Sequence, residues 1–451
     1  MSAPPAVMRL DPDVLRDRLL EATGTVRIER ARITGPLALD GTEIKALVRF
    51  EECEFEGPVG LEAASVPALT ITRSRLPGLR APTARFGGRV DLRGTTIDGA
   101  LDLVHAHIGG GLRLDGARLV RPGGVALEAG GLVMRGGVFC EGGFVSEGLV
   151  GFPGAQLPGG LWMRGALITV GEPDRIAFDG DNLTASTLRL SQGFRADGRV
   201  RLRGARIEDL LTFNGAELLG PDRTLMCVGA RAEALDLRFA VAPRGRVNLR
   251  NAHFTRIQDA PRTWPPSLGL DGLTYDWLET TAPRRRDDVA NRLAWLRRDE
   301  GYCPQPYEQL GLNYRRLGHD DEARRVLLHR QRRRRATLGA ASRLWGYLLD
   351  ATVGYGYRPW LAGLWLALLT AVGCGVFATH RPVPNKPGEG PPFHALVYTL
   401  DLLVPIGGFG QRDAWHWDGT GPQTLAYALV VVGWVLTTAV VAGVTRTLSR
   451  G

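Results

Sequence analysis

The chain has 451 residues, 59 glycines, five cysteines and a formal charge of +9. That length exceeds one compact core and predicts more than one module. The cysteines (Cys53, Cys140, Cys227, Cys303, Cys374) are scattered and odd in number, with no CxxC pair, which argues against a disulfide framework or a cysteine metal site and suits a reducing compartment.

Met1 to Leu20 is charged and lacks a continuous apolar stretch, so no signal-peptide pattern is visible. Asp11-Pro12 followed by Val14, Leu15, Leu19 and Leu20 reads as a short helix with an N-cap and a first-turn proline. It is assigned to a capping segment, residues 1–24, that covers an otherwise open first coil.

From Val26 to about Phe254 an apolar pair recurs every five or six residues. The second members run Ile28, Ile33, Leu39, Ile44, Phe50, Phe55, Leu61, Val66, Ile71, Leu76, and so on to Leu119. Small or apolar partners such as Ala31, Leu37, Ala64 and Val90 stand two positions earlier. Neither a helix nor a long alternating strand gives this period; a solenoid, turning two side chains inward and then making a corner, does. The clearest units are Ala106-His107-Ile108, Ala117-Arg118-Leu119, Ala205-Arg206-Ile207 and Ala216-Glu217-Leu218. They resemble pentapeptide repeats, and the resemblance implies a right-handed, four-sided β-helix of roughly 20 residues per coil over residues 25–258. The rhythm loosens between Val120 and Gln192 and then returns at Val200 and Leu202.

A proline-rich connector is expected over 259–283. The period then becomes helical, with Asp287 or Asp288 as N-cap and Val289, Leu293 and Leu296 on one face. The stretch from Tyr307 to Ala323, with Leu310-Gly311, Tyr314 and Leu317-Gly318, resembles one tetratricopeptide-type helix pair. Residues 284–340 are therefore read as an Arg-rich helical adaptor. The basic excess is concentrated here: Arg284 to Arg358 holds 17 arginines, no lysine and nine acidic residues. A basic segment beside a membrane span explains the charge more simply than nucleic acid does, and no nucleic-acid partner is expected. Arg330, Arg332, Arg333, Arg334, Arg335 and Arg343 form a candidate surface for anionic lipid headgroups.

After an interfacial segment, 341–358, two uncharged apolar stretches of 20 and 21 residues (359–378 and 424–444) are long enough to span a bilayer. The second transmembrane helix is assigned to 423–445. Arginines flank both spans on one side, whereas the loop 379–422 carries only Arg381, Lys386 and Arg412. The positive-inside rule then places both termini in the cytoplasm and the solenoid inside the cell. Thr352-Val353-Gly354-Tyr355-Gly356 spells the potassium-filter signature, but no span precedes it, so it reads as a glycine-hinged turn. Residues 393–410 are apolar, carry Asp401 and end in Pro405-Ile406-Gly407-Gly408-Phe409-Gly410. Their placement resembles the re-entrant pore loop of two-span channels. The candidate pore residues are Asp401, Pro405, Gly407, Gly408 and Gly410.

His105 and His107 flank the inward Ala106 and read as solvated. Glu51, Glu52 and Glu54 read as an exposed face. No phosphate loop, dinucleotide motif or nucleophile elbow is visible, and no catalytic, cofactor or metal residue is assigned. The whole chain resembles a family of actinobacterial two-span membrane proteins, through YEQLGLNYRRLGHDDEARRVL, TVGYGYRPW and YTLDLLVPI. Members are often labelled membrane-associated oxidoreductases, although no redox motif is seen here. The leading expectation is a plasma-membrane protein that displays its β-helix to a protein partner. The alternatives are a homo-oligomeric ion channel with 393–410 as its pore, and the labelled oxidoreductase.

Overall fold

A computed structural model describes residues 8–172, 175–280, 288–357, 360–380, 382–386, 388, 391–404 and 408–448. The chain forms two compact units, 1–319 and 320–451.

The first unit is a parallel β-solenoid of about 12 turns. Two 19-stranded sheets, made of short segments, run its length. The rhythm of fives and sixes has a direct cause. Leu79 pairs with Leu101 and Phe86 with Ile108, each 22 residues on, so two five-residue and two six-residue sides close one coil. Each strand buries alternate residues, as Val26 and Ile28 do in Thr25–Glu29, and the inward columns of Leu, Ile, Val and Phe form the core. One corner turns through the left-handed region in coil after coil. Ala63, Thr83, His105, Asn182 and Asn251 occupy it at φ between 53° and 57°, and Gly204 at 65°.

Between Val120 and Gln192 the coils persist but lengthen. Leu101 pairs with Leu127 and Val150 with Phe178, 26 and 28 residues on. The additional residues form loops at one corner, where the Arg175 guanidinium donates to the carbonyl of Gly123.

At the N-terminal end, Met8–Leu10 pairs with Ala31–Ile33. Asp11 caps α1 (Pro12–Glu21) by accepting from the amides of Asp13 (2.9 Å) and Val14 (3.4 Å). Leu15 and Leu19 are buried. At the other end the solenoid runs further than the sequence suggests. Leu268–Gly269 and Thr274–Thr280 pair with the preceding coil, so most of the expected connector is a final turn. Its prolines do not interrupt the ladder because Pro261 opens a 3-10 turn, Pro261–Thr263, at a corner that needs no amide donor.

The expected single adaptor is also divided. The helices α2 (Asp288–Leu296) and α3 (Gln305–Arg316) belong to the solenoid unit, and α4 (Asp320–Ala336) belongs to the second. Of the two proposed N-caps for α2, Asp287 lies outside the described residues. Gln305, Gln309 and Asn313 fall four apart on one face of α3. Their side-chain amides donate to the carbonyls of Leu273 (2.9 Å), Tyr275 (2.6 Å) and Asp276. The helix thus satisfies backbone acceptors that the last strand would otherwise leave open. Arg292 of α2 forms a bidentate pair with Asp259 at 2.6 and 3.0 Å, both side chains being almost fully buried. Trp264 Nε1 donates to the same carboxylate at 3.0 Å.

The second unit continues through α5 (Ala340–Val353), α6 (Trp360–Thr379), α7 (Ala395–Leu403), the short α8 (Gln411–Ala414) and α9 (Thr420–Leu448). Gly354, at φ 55°, caps α5 and Tyr355 follows at the same φ. The filter-like motif is therefore the C-terminal end of a helix and a tight turn. Two helices, α6 and α9, are long and apolar enough to cross a membrane. Only 17% and 22% of their apolar windows are buried, so most of that surface faces outward.

Candidate functional site

The segment between the two long helices folds as a hairpin. Helix α7 lies between α6 and α9, and Phe377, Tyr398, Leu402, Leu403, Trp417 and Leu429 pack into one buried cluster. The rings of Phe377 and Trp417 stack at 5.0 Å, and Trp417 Nε1 donates to the Tyr398 hydroxyl at 3.1 Å.

Two glycines set the depth of α7. A Cβ on Gly373 would lie 2.5 Å from Thr399 Cγ2, and one on Gly433 would lie 2.4 Å from the Leu403 carbonyl. Bare backbone at these positions lets the helices approach closely. Gly373 stands six residues from the end of α6, about 9 Å along the axis, and Leu403 is a further turn beyond Thr399. The C-terminal end of α7 therefore packs against the interior of the two long helices and not against their ends. Gly433 and Thr437 of α9 meet it there; Thr437 Oγ1 donates to the Leu403 carbonyl at 3.4 Å.

Asp401 is 4% exposed. Its two carboxylate oxygens accept the backbone amides of Phe409 and Arg412, each at 2.8 Å. The carboxylate ties the returning part of the hairpin to α7 through two backbone amides, one before α8 and one within it. Gln411, 3% exposed, makes a second tie. Its amide donates to the Pro392 carbonyl at 2.8 Å and its oxygen accepts the His394 amide at 3.3 Å. Sequence reasoning missed Gln411; glycines inside both apolar helices were the one visible sign of close packing. Of the candidate pore residues, Asp401, Gly408 and Gly410 belong to this hairpin. Gly408 lies beside Asp401 and Gly410 turns at φ 76°. Pro405 and Gly407 lie outside the described residues.

The basic candidates separate. Arg332 and Arg335 both pair with Asp350, at 3.0 and 3.1 Å, and the Arg335 guanidinium lies 3.8 Å over the Tyr347 ring. Arg343 donates to the carbonyls of Ala336 (3.4 Å) and Leu338 (3.1 Å) at the end of α4. Arg330 and Arg333 also have partners. Arg334 is exposed.

On the solenoid, His105 and His107 are exposed, as read from the sequence. No cluster of metal-ligating side chains occurs among the described residues. One outward face carries a feature the sequence did not reveal. Phe139 and Trp162 occupy matched positions on successive coils, and their rings stack at 4.8 Å and 7°. The Arg113 guanidinium lies 4.8 Å over the free side of Phe139. Both aromatics are half-buried, and Trp162 leans over Gly137 and Gly160. Only knowledge of the local coil length brings residues this far apart together. No protein-family model matches the chain, and no curated protein or solved structure is significantly similar to it.

Proposed function

We propose that the chain is an integral plasma-membrane protein of the actinobacterial two-span kind, anchored by α6 and α9. In this reading the solenoid is a right-handed β-helix on the cytoplasmic side and a docking surface for a protein partner. The half-buried Arg113–Phe139–Trp162 column on the outward face carries the docking reading, because arginine and large aromatics concentrate at interface centres. The helix pair around Tyr307 to Ala323 serves, in part, as the solenoid's end cap, which supports an adaptor of tetratricopeptide type only loosely. Arginines on one side of both spans support the orientation, and the same band suits anionic headgroups.

Single cysteines at Arg334 and Lys386, probed in intact cells with a membrane-impermeant maleimide, test the arrangement. Labelling at 386 and protection at 334 are expected. The reverse pattern would overturn the orientation, and labelling of both in intact cells would overturn the two-span reading. A partner that binds the native protein and loses affinity with Trp162→Ala, but not with an exposed change on another face, would support docking.

A second reading is an oligomeric ion channel with the 393–410 hairpin at its pore. The packing of the α7 C-terminal end against the interior of the apolar helices favours it. Two spans per chain cannot enclose a pore alone, so a monomer in detergent rules it out. Ion flux in liposomes that disappears with Gly408→Val would establish it.

A further inference from the structure

A hollow of about 320 Å³ opens on the outward face of three successive coils near the N-terminal end of the solenoid. Its origin is a difference in side-chain length. Thr70 and Thr72 stand in register with Arg49 and Glu51 on one neighbouring coil, and Thr70 with Asp91 on the other. Two short β-branched residues between coils of long ones leave a depression one coil wide. Four arginines line it (Arg49, Arg73, Arg89 and Arg93) against the carboxylates of Glu51 and Asp91.

Two of these arginines are engaged. Arg93 holds Asp91 through two of its guanidinium nitrogens, Nε at 2.8 Å and Nη2 at 2.7 Å. Arg73 lies 3.3 Å from Glu52 and 3.9 Å from Glu51. Arg49 and Arg89 are exposed and form no ion pair among the described residues. The floor adds two threonine hydroxyls, each able to donate or accept. A site with two guanidiniums outside any ion pair, the charge of Arg89 also acting on nearby Asp91, and neutral donors between them matches a dianion better than a carboxylate, which one guanidinium satisfies in a fork. The volume lies at the small end of the ligand-pocket range.

We propose that this hollow binds the phosphoryl group of a small phosphorylated ligand, with Arg49 and Arg89 as its charged donors. The inference rests on the solenoid alone and is independent of the membrane and docking readings.

The test is calorimetric titration of the full-length protein in detergent at fixed ionic strength, which removes general screening effects. The probes are inorganic phosphate, O-phosphoserine and short-chain phosphatidic acid. At least one is expected to bind, and the tightest identifies whether the phosphoryl group comes from a free ion, a phosphorylated small molecule or a lipid headgroup. Arg49→Gln and Arg89→Gln should each weaken binding about tenfold, and the double variant about a hundredfold. Arg206→Gln, an equal loss of charge elsewhere on the solenoid, should leave it unchanged. Because the substituted side chains are exposed, a circular dichroism spectrum like that of the parent is expected for each variant. Failure of all three probes to bind, or equal weakening by Arg206→Gln, would overturn the assignment.

Discussion

The Asp259–Arg292 pair offers a direct measure of what holds the helical cap on the solenoid. Arg292→Ala leaves a carboxylate, 2% exposed, with Trp264 Nε1 in place of the two guanidinium contacts it had. Removing one partner of a buried pair typically costs about 3–5 kcal/mol, because the remaining charge is uncompensated. In a solenoid each coil is stabilised mainly by its neighbours, so the loss should stay local. Amide hydrogen exchange of the full-length protein reads this residue by residue. In Thr274–Thr280 and Asp288–Leu296, exchange should accelerate roughly a hundred- to several-thousandfold, or to the fully open rate. Coils before Leu225 should keep their protection. Replacing both partners together, by Asp259→Leu with Arg292→Met, should restore part of it, since an apolar pair avoids the buried charge while Trp264 Nε1 loses its acceptor, at a cost of about 1–3 kcal/mol. Unchanged protection in Thr274–Thr280 would refute the argument, and so would a uniform loss along the whole solenoid.

The left-handed corner predicts opposite effects at two positions. Ala63→Gly relieves a φ of 53° and should stabilise by about 0.5–1 kcal/mol. Gly204→Ala places a Cβ 2.5 Å from Asn182 Oδ1 and should destabilise by about 1–2 kcal/mol; thermal midpoints that move together would contradict this. Asp401→Leu removes the acceptor of two amides and should open the hairpin return by about 2–5 kcal/mol. Exchange should rise at Phe409 and Arg412 while α6 stays protected, and loss of protection throughout α6 would show a wider structural role. Burial, and a hydrogen bond from its thiol to Asp271 at 2.9 Å, push the Cys303 pKa up to about 11. At pH 8 its alkylation should be slower than that of an ordinary thiol by on the order of a hundredfold. The proton is held more tightly in the folded state, so this group's contribution to stability is full below the ordinary thiol pKa and falls as pH rises towards 11. Alkylation at an ordinary rate would show that the thiol is not held in this way.

The solenoid was legible because its period is a consequence of closure. Two five-residue and two six-residue sides make the 22-residue coil, and each side must bury an apolar pair. The two places where the reading stopped short share a cause. The loops after Val120 and after Val170 add residues at one corner, which shifts the phase and leaves register shifts in the ladder at Val120/Val125 and Ile176/Phe178, while pairing resumes on either side. Pro261, Pro265 and Pro266 looked like the end of the fold, yet they sit between strands, where the ladder makes no demand on them. In α3 the spacing of Gln305, Gln309 and Asn313 was visible, but their acceptors are backbone carbonyls of a strand not expected to exist. Residues 393–410 were legible as an apolar segment between the two long helices, whereas the amide partners of Asp401 were not. A carboxylate in an apolar segment suggests function from sequence, and nothing in the sequence shows that Phe409 and Arg412 return to meet it.

Arginine count and arginine availability answer different questions, and the second unit separates them. Orientation depends on cations near the span ends, whatever their pairing. Attraction to headgroups, about 1 kcal/mol per charge near the surface, depends on charge left uncompensated. The Asp350 carboxylate offsets one charge of the Arg332–Arg335 pair, whereas the two carbonyls that hold Arg343 orient its guanidinium without neutralising it, so any headgroup attraction by the band would be one charge weaker than its arginine count implies. Asp350→Ala removes the one negative charge shared by Arg332 and Arg335, raising the net charge of the band by one without adding an arginine, while Arg335 keeps its contact with the Tyr347 ring. The amount of phosphatidylglycerol that co-purifies with the protein, measured by lipid mass analysis, should therefore rise, while maleimide labelling at positions 334 and 386 stays as in the parent. Lipid content that falls, or labelling that inverts, would show that Asp350 acts through orientation and not through the charge it withholds.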